Sequence, residues 1–84
     1  MLLQCYPNPF NPRTTIRYSL PHKSPVLLGV YNMVGQQVAT LVQGEQEGGS
    51  YEVKFDGSAL ASGVYFYRIQ AGSLVQSKKL LLLK

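Results

Sequence analysis

Between Gly49 and Gly72 the chain twice alternates apolar and polar residues with a period of two. Tyr51, Val53 and Phe55 alternate with Ser50, Glu52 and Lys54; past the turn residues Asp56-Gly57-Ser58, Tyr65, Tyr67 and Ile69 fall on one face of a second run. Successive side chains of a strand point to opposite faces of a sheet, so this pattern is that of two half-buried strands. The aromatic residues concentrated there are what a small domain needs to build its core. Gly63 stands just before the second run, where a positive φ or a tight start is expected. Tyr65 then occupies the place of a tyrosine corner at the beginning of a late strand. The stretch contains no reacting group and reads as core.

The remaining strands follow in order. Thr14 to Leu20 places Thr14, Ile16, Tyr18 and Leu20 on one face, and Thr15, Arg17 and Ser19 on the other. Pro21 to Pro25 breaks that strand, leaving His22 as a solvated loop histidine. Val26 to Asn32 is the next strand, with Val26, Leu28 and Val30 inward. Its outward Leu27 and Gly29 are unusual, and mark a covered face or a contact surface. Asn32-Met33-Val34-Gly35 is a tight turn, and Gln36 to Val42 returns as a strand with Val38 as its surest core position. Gln43 to Gly49 reads as a polar, glycine-rich loop in which Glu45 and Glu47 are solvated. Leu74 to about Leu83 is the last strand, and its Leu80–Leu83 run is far short of the ~20 apolar residues that span a bilayer.

Before Thr14 the chain reads differently. Tyr6-Pro-Asn-Pro-Phe-Asn-Pro12 carries three prolines, which remove N–H donors and force extended geometry on their predecessors. This proline-rich arm, residues 1–13, is expected to run along a sheet edge, anchored by Phe10 and Tyr6. Met1 to Cys5 has neither a basic region nor an apolar core of signal-peptide type. Gln4 is not the small residue that would precede a lipid-modified cysteine, so Cys5 reads as an ordinary thiol. These assignments give an all-β, immunoglobulin-like antiparallel sandwich of six to seven strands in a single domain, 1–84. A closed barrel is the alternative architecture. Tyr18, Val30, Val53, Phe55, Tyr65 and Ile69 are expected in the core.

Several functions are disfavoured by the same residues. The net charge of +4 comes from eight Lys and Arg scattered along the chain, with only Lys78 and Lys79 adjacent, so no nucleic-acid surface is expected. One histidine, one cysteine and four separated acidic residues propose no metal site, no cofactor and no nucleophile–base pair. The expectation is a protein that is not an enzyme.

Five segments in order carry a resemblance. They are Tyr6-Pro-Asn-Pro-Phe-Asn-Pro12, Thr14-Thr-Ile-Arg-Tyr-Ser-Leu-Pro21, Val30-Tyr-Asn-Met-Val-Gly35, Leu60-Ala-Ser-Gly-Val-Tyr-Phe-Tyr-Arg68 and Lys78-Lys-Leu-Leu-Leu-Leu-Lys84. Together they resemble the C-terminal sorting domain of type IX secretion cargo, a family similar to the Ig-like module of the flagellar hook-capping protein. The resemblance implies a β-sandwich that directs secreted cargo from the periplasm across the outer membrane. It implies outer-membrane secretion machinery as partner, a cell-surface peptidase as a possible second one, and a secreted or cell-surface destination. An Ig-like binding or spacer module is the other reading. Lys78, Lys79 and Lys84 bracket the final leucine run and are the residues expected to be read by the translocon. The last strand is expected either to lie at a sheet edge or to pair only partly, so that another chain can add to it.

Overall fold

Each alternating run forms a strand in the computed structural model, which describes residues 1–84. The strands are β1 (Leu3–Tyr6), β2 (Arg13–Leu20), β3 (Ser24–Tyr31), β4 (Gln37–Gln46), β5 (Gly49–Asp56), β6 (Gly63–Ala71) and β7 (Leu74–Leu82). They form two sheets with orders β1-β2-β5 and β4-β3-β6-β7, every pair antiparallel. Two separate sheets make this an open sandwich and exclude the closed barrel.

The inward faces follow the sequence pattern. Thr14, Ile16, Tyr18 and Leu20 of β2 are all buried, as are Val26, Leu28 and Val30 of β3 and Tyr65, Tyr67, Ile69 and Ala71 of β6. Phe55 is buried with them, whereas Val53 is only partly covered. The Tyr18 ring stacks on Tyr51 at 5.3 Å, and its hydroxyl donates to Gln46 Oε1 at 2.5 Å, linking β2 in one sheet to β4 in the other. A buried tyrosine hydroxyl needs such a partner.

Four expectations are corrected, while the seventh strand is found within the arm, in Leu3-Gln-Cys-Tyr6 before the prolines, where Leu3 and Cys5 pair inward against Tyr18 and Ile16. That register turns Tyr6 outward, where it is 82% exposed and its ring anchors nothing; of the two aromatic residues only Phe10 docks the arm. β3 begins at Ser24, two residues earlier than its apolar run, and its partner β4 therefore continues to Gln46. Glu45 is consequently a strand residue opposite Pro25, and the polar loop shrinks to Glu47 and Gly48. Val38 is only partly buried, because the β3–β4 pairing skips it between Val30↔Ala39 and Tyr31↔Gln37, a bulge.

Outward Gly29 is covered by its own sheet. A Cβ there would stand 2.9 Å from Gln37 Nε2 and 3.4 Å from the Tyr31 ring, so the Gln37 amide and Tyr31 fill the space a side chain would take.

Two tyrosines close their loops in the same way. Tyr65 Oη donates to Ala61 O at 2.7 Å, and Tyr51 Oη donates to Glu47 O at 2.6 Å, each to a carbonyl four residues upstream. Two residues before each tyrosine stands a glycine at a φ that side chains disfavour, Gly63 at 153° and Gly49 at 144°. The chain thus enters β5 and β6 through one repeated Gly-x-Tyr device.

Burial also sets a pH limit on the fold. It pushes the Tyr67 phenol up from the ordinary 10 to about 12, and raises Tyr18 as well. The folded chain then holds the Tyr67 proton more tightly than the unfolded chain does. Its contribution, on the order of 2–3 kcal/mol, is complete below pH 10 and is lost as pH rises from 10 toward 12. Urea melts at pH 8, 10 and 11.5 should give a small loss over the first interval, where the raised Cys5 thiol begins to count, and a steeper fall over the second. Equal midpoints at all three would remove Tyr67 from the set of buried phenols.

Candidate functional site

The final strand β7 forms one edge of the four-stranded sheet and pairs along its whole length with β6, from Ala71↔Leu74 to Gly63↔Leu82. Alternation sends Leu80 and Leu82 into the core, both fully buried, and turns Val75, Ser77, Lys79, Leu81 and Leu83 outward. The four-leucine run thus divides between core and surface.

Half of the strand's open edge is covered by the proline arm. Phe10 N donates to Leu81 O and Leu83 N donates to Phe10 O, both at 2.9 Å, in a parallel bridge between Phe10 and Leu82. Asn8 extends the pairing with its side chain: Nδ2 donates to Lys79 O at 2.9 Å, and Leu81 N donates to Oδ1 at 3.1 Å. Pro7, Pro9 and Pro12 have no N–H to offer, so one backbone residue and one amide side chain replace a continuous ladder. The Phe10 ring seats the arm: the residue is only 2% exposed and its ring is tilted against Phe55 at 5.9 Å. Toward the β6–β7 turn, Val75 and Ser77 keep their outer backbone groups open, with no strand beside them.

The structure does not bring the three lysines together. Lys78 lies on the inward-facing register of β7 and donates from Nζ to Leu3 O at 2.6 Å; beside it Gln76 Nε2 donates to Met1 O at 3.3 Å. These two side chains tie β7 to the free edge of β1. Lys84 donates from Nζ to Ser58 O at 2.6 Å, and its backbone N donates to Ser62 Oγ at 3.1 Å, so it closes onto the β5–β6 connection. Lys79 alone points outward with no side-chain bond, opposite Phe66 of β6.

Other titratable residues lie elsewhere. His22 is exposed and its ring bonds only to its near neighbours Lys23 and Ser24. Glu45 and Glu47 flank Lys23 at 3.6 and 3.9 Å, an exposed cluster at the far end of β4. Thr14 Oγ1 donates to Pro7 O at 2.7 Å, fixing where the arm leaves β1, and Cys5 Sγ lies 3.0 Å from the same hydroxyl. Burial pushes the Cys5 thiol above its usual range. No group of three or more His, Cys, Asp or Glu side chains is arranged to hold a metal ion.

Sequence reasoning missed the role of Asn8 and the second tyrosine corner. The latter had a signal, since Gly49-Ser-Tyr51 repeats the spacing of Gly63-Val-Tyr65.

These features define a class, an immunoglobulin-like sandwich module whose most distinctive surface is a final strand partly strapped by the chain's own first residues. More specifically, residues 4–83 match the family described as the secretion system C-terminal sorting domain, and the chain belongs to that family. No curated protein matches the sequence. Membership gives the chain a type IX sorting role and interaction with the type IX machinery, and a secreted or cell-surface destination.

Proposed function

We propose that this chain is a non-enzymatic sorting module that directs attached cargo from the periplasm across the outer membrane, and that the machinery reads the folded domain through β7. The observation that carries this is the family match over residues 4–83, combined with the position of β7 at a sheet edge. An edge strand can be recognised through backbone groups without a pocket. Among the three lysines, Lys79 is the one free to contribute charge to a partner, since Lys78 and Lys84 are engaged within the domain. The surface peptidase implied by the resemblance is a second proposed partner.

The test fuses residues 1–84 to a periplasmic reporter in a host with the type IX system and compares intact, Lys78→Glu/Lys79→Glu and Lys84-deleted forms. Circular dichroism first establishes that each folds. The intact fusion should reach the surface or medium, and the double charge reversal should lower export by about tenfold or more. Retention of the intact fusion in the periplasm would refute the sorting role. Equal export of the folded variants would assign recognition to another surface.

A further inference from the structure

The two outer faces of the sandwich differ in chemistry. The outward residues of β1-β2-β5 are mainly polar, among them Gln4, Thr15, Arg17, Glu52 and Lys54, with Arg17 Nε and Glu52 Oε2 2.6 Å apart. The outward face of the four-stranded sheet is apolar at one corner. Registered rows there set Tyr31 beside Phe66 and Val64 beside Leu81, all only half-buried although they face away from the core.

The corner continues into the β3–β4 turn, where Met33 is 72% and Val34 79% exposed. Both line a hollow of about 340 Å³ with Asn32, Ser62, Gly63, Val64 and Tyr65. Clustered exposed apolar groups of this kind mark an interaction surface.

Charge narrows the partner. All four Asp and Glu side chains lie away from this corner, facing Arg13, Arg17 and Lys23 in ion pairs. On this face β6 and β7 contribute only Arg68 and Lys79 among charged residues. Electrostatic attachment to anionic lipid characteristically uses clusters of four to eight basic residues. Two cations beside a concave apolar corner fit a protein better.

We propose that this corner, centred on Met33, Val34, Val64, Phe66 and Leu81, is the docking surface for a protein component of the secretion machinery whose own surface is apolar and rimmed by carboxylates. The inference rests on the sorting role and names the face that serves it. Lys79 joins the face to the edge of β7, so one partner can cover both. The hollow accepts an apolar side chain of that partner, and Arg68 and Lys79 meet its acidic rim, as complementary interfaces arrange their charges.

The test uses the same reporter fusion with Met33→Asp/Val34→Asp, with Lys79→Glu alone, and with Lys54→Glu on the opposite sheet as control. Met33 and Val34 are exposed turn residues, so the melting temperature should hold, and export should fall at least tenfold. Lys79→Glu should also reduce export, while Lys54→Glu should leave it unchanged. If the intact fusion is not exported, the sorting role fails and this inference with it. If the intact fusion is exported and the folded Met33/Val34 variant matches it, this face is not the docking surface while the sorting role stands. Should the Met33/Val34 variant not fold, export of folded Lys79→Glu equal to that of the intact fusion would overturn the proposal. Vesicles containing anionic phospholipid supply a separate arm. Binding by the intact domain that the Met33/Val34 change abolishes, with export unaffected, would make the corner a lipid surface and overturn the proposal.

Discussion

Replacing Phe10 with alanine is expected to destabilise the domain by about 3–5 kcal/mol, the usual range for removing a buried aromatic ring. A domain of this size commonly has only ~5–15 kcal/mol in total, so the variant should be partly unfolded near body temperature. The effect is unusual in location, because Phe10 belongs to an irregular arm and not to a strand. Its ring is buried against Phe55 and holds the Asn8–Phe10 segment on the edge of β7. Loss of the ring should therefore have a local signature in addition to the lower melting temperature. The Leu83 amide, which donates to Phe10 O, should exchange with solvent faster than the global destabilisation accounts for. Phe10→Leu should recover much of both effects. A melting temperature for Phe10→Ala within a few degrees of the parent would show that the arm docks without its anchor.

Tyr65 separates ring burial from hydrogen bonding. Tyr65→Ala should also cost about 3–5 kcal/mol, since the ring is 8% exposed and lies on the inward face of β6. Tyr65→Phe keeps the ring and removes only the bond to Ala61 O. That change should cost about 1 kcal/mol or less, because Ala61 is exposed and its carbonyl can turn to water. Thermal or urea melts of the three proteins give both numbers. Equal losses for alanine and phenylalanine would mean that the corner, and not the ring, carries the stability.

The strands that could be read from the sequence are those whose two faces meet different surroundings. β2 lies between two strands with one face in the core, so Ile16 and Tyr18 alternate cleanly with Thr15 and Arg17. β4 could not be bounded in the same way. Its second half pairs with β3 through backbone, while Gln43, Gly44 and Glu45 remain exposed, and a side-chain pattern records burial, not hydrogen bonding. Two bulges disturb its alternation further, which is why Val38 promised more burial than it has.

The candidate site was legible to the same degree. The position of β7 followed from its leucines, but the fates of its lysines depended on which strand stood opposite. Lys78 turns inward to Leu3 O because β1 ends the facing sheet at that point. The pairing of Asn8 with β7 spans more than seventy residues and rests on a side-chain amide standing in for backbone, a contact with no local periodicity.

The parallel sense of the arm on β7 has a mechanical consequence. Tension applied between the two ends of the chain pulls the Asn8–Phe10 segment backward and the end of β7 forward, along the shared strand axis. The bonds at Lys79, Leu81 and Leu83 lie across that direction, so they are loaded together in shear and do not open one after another. Peeling the final strand sideways, starting from its Val75–Ser77 end, first meets only the side-chain bond from Gln76 to Met1 O. The domain is thus built to resist stretching far better than it resists being lifted at one edge.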